Sequence, residues 1–226
     1  MPSTALPPSR APSAAVAAAC SGALAVLLLV LVMINWAPLI AMDRAVADDL
    51  HDSAVRDPGL TQTNRVLSDW VWDPWTMRAL VAVTVVWLWR HAERLLAVWL
   101  GAVTVLSSAL QQLLKAAVGR ERPQWPDPVD TAHFAAFPSG HAMTATVTCG
   151  LLLWVLARSE AGSRLWLTAV TLAAVSVLGV GLTRMYLGVH WFSDVVGGWL
   201  LGVCVVALAV VTYDRAAMRA VLAGRN

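Results

Sequence analysis

Six apolar runs separated by short polar stretches leave this chain few ways to fold; they lie near 14–36, 71–89, 95–117, 139–157, 165–183 and 193–212. Backbone inside hydrocarbon must satisfy its own N–H and C=O groups, and runs of this length do so as helices crossing a bilayer core of about 30 Å. The composition leaves no ordinary soluble alternative. Of the 226 residues 58% are hydrophobic and only 13% charged, against about 25% charged in a typical soluble domain. The expected fold is therefore all-α, a polytopic membrane bundle of six transmembrane helices over 14–212. A disordered tail at 1–13 should precede it, and a cytoplasmic tail at 213–226 should follow. Arg78 interrupts the second run close to its end, where a long cationic side chain can snorkel to the interface.

Charge and cysteine usage exclude further classes. The single lysine among sixteen Lys plus Arg, and a net charge of +2, give no basic face of the kind nucleic acids require. Cys20, Cys149 and Cys204 all fall inside apolar runs and read as small packed hydrophobes, not as a disulfide framework. With the N-terminus inside, the sixteen cations divide evenly between the two faces. Setting aside Lys115, Arg122 and Arg184 as working residues tips the balance inward, which places both termini in the cytoplasm and the active site on the outer face of the plasma membrane. The tryptophans agree, with Trp36, Trp70, Trp72, Trp75 and Trp191 near the outer boundary and Trp87, Trp89, Trp99, Trp154 and Trp166 near the inner one. The stretch 37–70 carries Asp43, Asp48, Asp49, Asp52 and Asp57 and reads either as a solvated acidic loop or as a short amphipathic helix on the outer surface.

Three polar clusters sit at the ends of the apolar runs. In KAAVGRERP, Lys115 and Arg122 are seven residues apart and project from one face if the helix continues that far. In FPSGHAMTATV, Pro138 stops any preceding helix and Ser139 is a natural N-cap. The backbone N–H groups of Gly140 and His141 then open a helix whose positive end suits an anion. In TRMYLGVHWFSD, His190 and Asp194 are spaced i and i+4, so a carboxylate can fix the imidazole tautomer and leave Nε2 as a nucleophile. Arg184 adds a forked donor matched to phosphate oxygens. Each cluster alone has a plain structural reading. Their conjunction on one membrane face points to phosphoryl transfer.

These motifs, in this order, resemble the type 2 phosphatidic acid phosphatase superfamily: Lys, six residues, Arg-Pro; then Pro-Ser-Gly-His; then Ser-Arg, five residues, His, three residues, Asp. Ten positions match, namely Lys115, Arg122, Pro123, Pro138, Ser139, Gly140, His141, Arg184, His190 and Asp194. Thr183 departs from the usual serine but keeps a hydroxyl. The resemblance implies that His190 attacks phosphorus, Asp194 orients it, and His141 protonates the leaving group and then activates water. Lys115, Arg122, Ser139, Gly140 and Arg184 would hold the phosphate oxygens, with no metal and no cofactor. Asp48 with Asp49 and Asp127 with Asp130 read as loop acids, not metal ligands. The partners expected are the bilayer and a lipid phosphate or pyrophosphate. A lipid phosphotransferase passing the phosphohistidine to an alcohol is the alternative, and a non-catalytic membrane protein or transporter a more distant one.

Overall fold

The computed structural model describes residues 11–159 and 161–223. Among these every regular element is helical: α1 (Ala11–Met33), α2 (Ala37–Arg56), α3 (Pro58–Val66), α4 (Pro74–Arg90), α5 (Arg94–Val118), α6 (Gly140–Leu156), α7 (Ser163–Tyr186) and α8 (Phe192–Ala223), with one π turn at Leu67–Val71. Of the expected tail at 1–13, residues 1–10 lie outside the described part, and the helix is already under way at Ala11. At the other end α8 runs without a break through 213–223.

Six of the helices occupy the six expected positions. Four of them, α1, α5, α7 and α8, are long and apolar enough to cross a membrane. α4 and α6 are shorter, at 17 residues each, or about 26 Å at 1.5 Å per residue. α6 is also the most enclosed helix, packed against α4, α5, α7 and α8. Its N-terminus carries the second polar cluster, and Ser139, Gly140 and Ala142 there are buried. Large apolar side chains on α1, α4, α5 and α7 face outward, including Val83, Leu106, Leu113 and Leu167, as surfaces do when lipid is the solvent.

The stretch 37–70 is helical, as the second of its two readings has it, and not a solvated loop. It forms two helices and a π turn that pack over one end of the bundle, with Asp43, Ala47, His51 and Ala54 of α2 buried. Local signals explain the breaks. Pro58 takes the first position of α3 while the Asp57 carboxylate accepts from Leu60 N at 2.9 Å, and Pro74 opens α4 while Asp73 accepts from Trp75 N at 2.7 Å.

α6 and α8 cross at close range because α8 presents Gly198 and Gly202 four residues apart. A methyl at Gly198 would lie 2.7 Å from the Ser139 carbonyl, and one at Gly202 2.6 Å from Thr146 Cβ. This small-residue stripe lets two backbones meet where lipid offers no hydrophobic drive. Replacing Gly198 with Ala presses directly on the backbone that starts α6. A loss of about 1–3 kcal/mol is expected, the usual range for overpacking. An unchanged thermal unfolding midpoint in detergent would contradict the close crossing.

Candidate active site

The six bundle helices alternate in direction. The C-terminal ends of α1, α5 and α7 therefore meet the N-terminal ends of α4, α6 and α8, and all three sequence clusters share that end.

α5 stops at Val118 because Gly119 adopts a left-handed φ of 59° and donates back to the Lys115 carbonyl at 3.0 Å. The continuous helix that would have put Lys115 and Arg122 on one face is thus absent. Arg122 reaches the site from the loop instead, through contacts to α7–α8. Its Nη1 donates to the Val189 carbonyl and lies 3.1 Å from His190 Nε2, while Nε and Nη2 donate to the carbonyls of Phe134 and His133 at 2.9 and 3.1 Å. Lys115, buried in the last turn of α5, donates from Nζ to the Ala135 carbonyl. The cations of the first cluster thereby hold the loop that leads into the second.

Ser139 is the N-cap of α6 by position, with φ −65° and ψ 118°, but its hydroxyl makes no capping bond. It is fully buried, and Oγ has no hydrogen-bond partner. Its own N–H is taken by the Asp194 carbonyl at 2.9 Å, and the first helical bond runs from Met143 N to the Ser139 carbonyl. The N–H groups of Gly140 and His141 lie ahead of that bond, at the positive end of the helix. Gly140 sits against Gln111 of α5, whose Nε2 would lie 2.7 Å from a methyl placed there.

Arg184, in the last turn of α7, is buried and donates from Nη1 to Ser68 Oγ at 2.9 Å; Asp69 and Asp130 face the same nitrogen at 3.8 and 4.0 Å. Its Nε is buried without a partner. The neighbouring Thr183 hydroxyl is spent on its own helix, donating to the Val180 carbonyl at 2.9 Å.

α7 and α8 are joined by a tight turn in which Gly188 has φ 67°, a conformation that costs glycine nothing. A methyl there would also strike Trp125 Nε1 at 2.7 Å, the same nitrogen that donates to the Gly188 carbonyl at 2.9 Å. Out of this turn comes His190, followed by Trp191 and the first turn of α8. His190 is therefore not helical, but the spacing still brings its Nδ1 to Asp194 Oδ2 at 3.3 Å, the long end of hydrogen-bond range. The same oxygen accepts from Trp191 N at 2.9 Å, half of a capping box at the start of α8. A guanidinium has no acceptor, so its contact with His190 Nε2 makes that nitrogen the unprotonated one and leaves Nδ1 to carry the hydrogen toward Asp194. Burial, then Arg122, Arg184, Lys115 and Arg120, push the His190 pKa well below the ordinary 6.5. The imidazole is held neutral. His141 shares this electrostatic neighbourhood with His190, Arg184, Arg122 and Lys115.

All eight residues singled out in the sequence are thus at one end of the bundle. Two others were missed. Arg120 donates from Nη1 to Asp194 Oδ1 at 2.6 Å and from Nη2 to Asp43 Oδ2 at 2.7 Å, and Asp43 is a buried side chain of α2, not a loop acid. Arg120 lay inside the quoted first motif and was readable there as a third cation. Nothing in the spacing could have tied Asp43 to it across 77 positions.

Three cations, an imidazole hydrogen-bonded to a carboxylate and a helix N-terminus thus meet at one end of a multi-pass apolar bundle, the setting of a phosphatase acting on lipid phosphates. The chain belongs to the PAP2 superfamily, whose model matches residues 96–218. It is 34% identical to the decaprenylphosphoryl-5-phosphoribose phosphatase of Mycobacterium tuberculosis over 169 residues, 73% of this chain and 86% of that protein. It is also 34% identical to phosphatidylglycerophosphatase B of Bacillus subtilis over 98 residues, 41% of this chain and 46% of that protein. In fold it is similar to the crystal structure of a transmembrane PAP2 type phosphatidylglycerolphosphate phosphatase from Bacillus subtilis. The TM-score is 0.76 at 22% identity, covering 88% of this chain and 96% of that one.

Proposed function

We propose that this chain hydrolyses a lipid phosphate or pyrophosphate through a phosphohistidine, without a metal, at the outer face of the plasma membrane. Its six bundle helices all span the bilayer and both termini are cytoplasmic. The observation that carries the reading is His190 Nε2, an unprotonated nitrogen backed by Asp194 and faced by Arg122. In the first step the Nε2 lone pair forms a bond to phosphorus as the phosphorus–oxygen bond to the lipid breaks. The leaving oxygen keeps that electron pair and takes a proton from His141, while Asp194 stabilises the charge that builds on the ring. In the second step His141 takes a proton from water, the oxygen attacks phosphorus, and the N–P pair returns to Nε2. Lys115, Arg122, Arg184, the Ser139 hydroxyl and the Gly140 amide neutralise and orient the equatorial oxygens in both steps. The buried Ser139 Oγ and Arg184 Nε support this assignment, since unpaired polar atoms at such depth are costly unless a ligand meets them.

Purified protein in detergent, given a panel of phosphatidate, phosphatidylglycerophosphate, polyprenyl phosphate and polyprenyl pyrophosphate with a chelator present, is expected to release inorganic phosphate from at least one. Vanadate takes the five-coordinate geometry of the transition state and should inhibit that activity under the same conditions. Activity lost to the chelator, or persisting at saturating vanadate, would refute the mechanism. Transfer to an added alcohol in place of phosphate release would identify a phosphotransferase instead.

A further inference from the structure

We infer that Asp43 and Arg120 are positioning residues for this reaction: α2 reaches over the bundle and, through Arg120, sets both the orientation and the effective charge of the Asp194 carboxylate that serves His190. The inference rests on the histidine mechanism proposed above and extends it to two residues that the three motifs do not specify, Arg120 from the unspecified stretch of the first motif and Asp43 from outside the family-matched region.

The geometry is a closed, buried network. Arg120 divides its fork between two carboxylates, Nη1 to Asp194 Oδ1 at 2.6 Å and Nη2 to Asp43 Oδ2 at 2.7 Å. Ser193 locks the far side, donating its backbone N–H to Asp43 Oδ1 at 2.8 Å and its hydroxyl to Asp43 Oδ2 at 2.6 Å. Arg120 Nη1 also donates to Ser193 Oγ at 2.7 Å, and its guanidinium lies 5.6 Å from the centre of the Trp191 ring. The side chains of Asp43 and Asp194 are at most 1% exposed and that of Arg120 11%, so water screens little of this.

Two consequences follow. With Oδ1 held by Arg120 and Oδ2 receiving Trp191 N–H, the carboxylate plane is fixed and one lone pair of Oδ2 is directed to His190. The second concerns charge. An arginine paired to Asp194 alone would cancel the negative charge that stabilises a phosphorylated imidazolium. Asp43 takes half of that arginine, so the trio keeps one net negative charge beside His190. Around the ring the remaining charged or titratable groups are Lys115 from α5, Arg122 from the loop, His141 from α6 and Arg184 from α7, the last flanked by Asp69 and Asp130.

A purely structural role and a charge-setting role separate in the pH profile. The acid limb of kcat/KM follows loss of the neutral His190, and the ionisation of the substrate is common to all variants and does not move between them. Asp43→Asn removes a negative charge, so the limb should move to lower pH while kcat falls by about tenfold or more, the order seen when the carboxylate network behind a metal-ligating histidine is broken. Arg120→Gln removes a positive charge and should move the limb to higher pH. The double variant should bring the limb back toward the wild-type position while kcat stays low. Arg120→Lys keeps the charge but not the fork, and should lower kcat with little movement of the limb. The profiles are to be measured in detergent on the panel lipid that wild type turns over fastest. Coincident limbs, or both single variants moving the same way, would overturn the inference. If Arg120→Gln does not fold, Asp43→Asn decides alone: a limb moved down supports the inference, and an unmoved or raised limb overturns it. Trapping acid-labile phosphate on wild type distinguishes the levels. Its absence sinks the histidine mechanism and this inference together, whereas a trapped phosphoenzyme with unmoved limbs sinks only the inference.

Discussion

Replacing His190 with alanine is expected to abolish turnover, not merely slow it. Its Nε2 is the bond-forming atom of the proposed first step, and among the described residues the other imidazole of the cluster, His141, is already committed to the leaving oxygen. The three free cysteines, Cys20, Cys149 and Cys204, lie within the helical runs of α1, α6 and α8 away from the cluster. His141 sits in the same pocket but serves the leaving oxygen, and water attacking directly would have to do without the covalent step that divides one hard displacement into two. The clamp itself survives in such a variant, so vanadate should still raise its thermal unfolding midpoint. That control separates an empty nucleophile position from a collapsed protein. Near-normal phosphate release from His190→Ala would remove the basis for the mechanism.

Arg122→Ala should have the second largest effect, a fall in kcat on the order of 10²- to 10³-fold, as when one preorganised donor is removed from a developing anion. The structure raises the stake on this arginine over Lys115. Its fork contacts His190 Nε2, the Val189 carbonyl just before it, and the loop carbonyls of Phe134 and His133. Arg122→Lys should rescue little, because a point charge cannot reproduce a fork that bonds in three directions. Steady-state rates for both variants on the same lipid would decide this; a loss below tenfold for Arg122→Ala would mean that phosphate is held elsewhere.

What the sequence made readable, and what it hid, follows from range. The pairing of His190 with Asp194 survived even though His190 precedes the helix, because four residues across a helix start span nearly the same distance as within it. Ser139 was placed correctly at the head of α6 and misjudged in its hydroxyl, which forgoes the cap and stays unpaired. The Lys115–Arg122 pairing required a continuous helix, and Gly119 with its positive φ broke it. Hydropathy placed six helices but could not weigh the two shorter ones, since enclosure by neighbours and not length alone decides where α6 starts. The acidic stretch 37–70 hid the most. Its aspartates look alike in sequence, yet only the fold separates Asp43, buried against Arg120, from Asp48, Asp49 and Asp52, which are exposed.

The carbonyls of His133, Phe134 and Ala135 occupy the cations of the first cluster, and this sets what can compete for them. A backbone carbonyl is a neutral dipole, while a phosphate carries full charge and oxygens that a guanidinium fork can bind two at a time. On the proposed mechanism, entry of a phosphorylated headgroup would be an exchange that favours the ligand, and a dephosphorylated lipid would gain nothing from it. The alcohol product should slip back into the bilayer as the loop reclaims its donors. For a lipid monophosphate substrate, inorganic phosphate would be the last species able to hold those donors and hence the expected brake on the cycle.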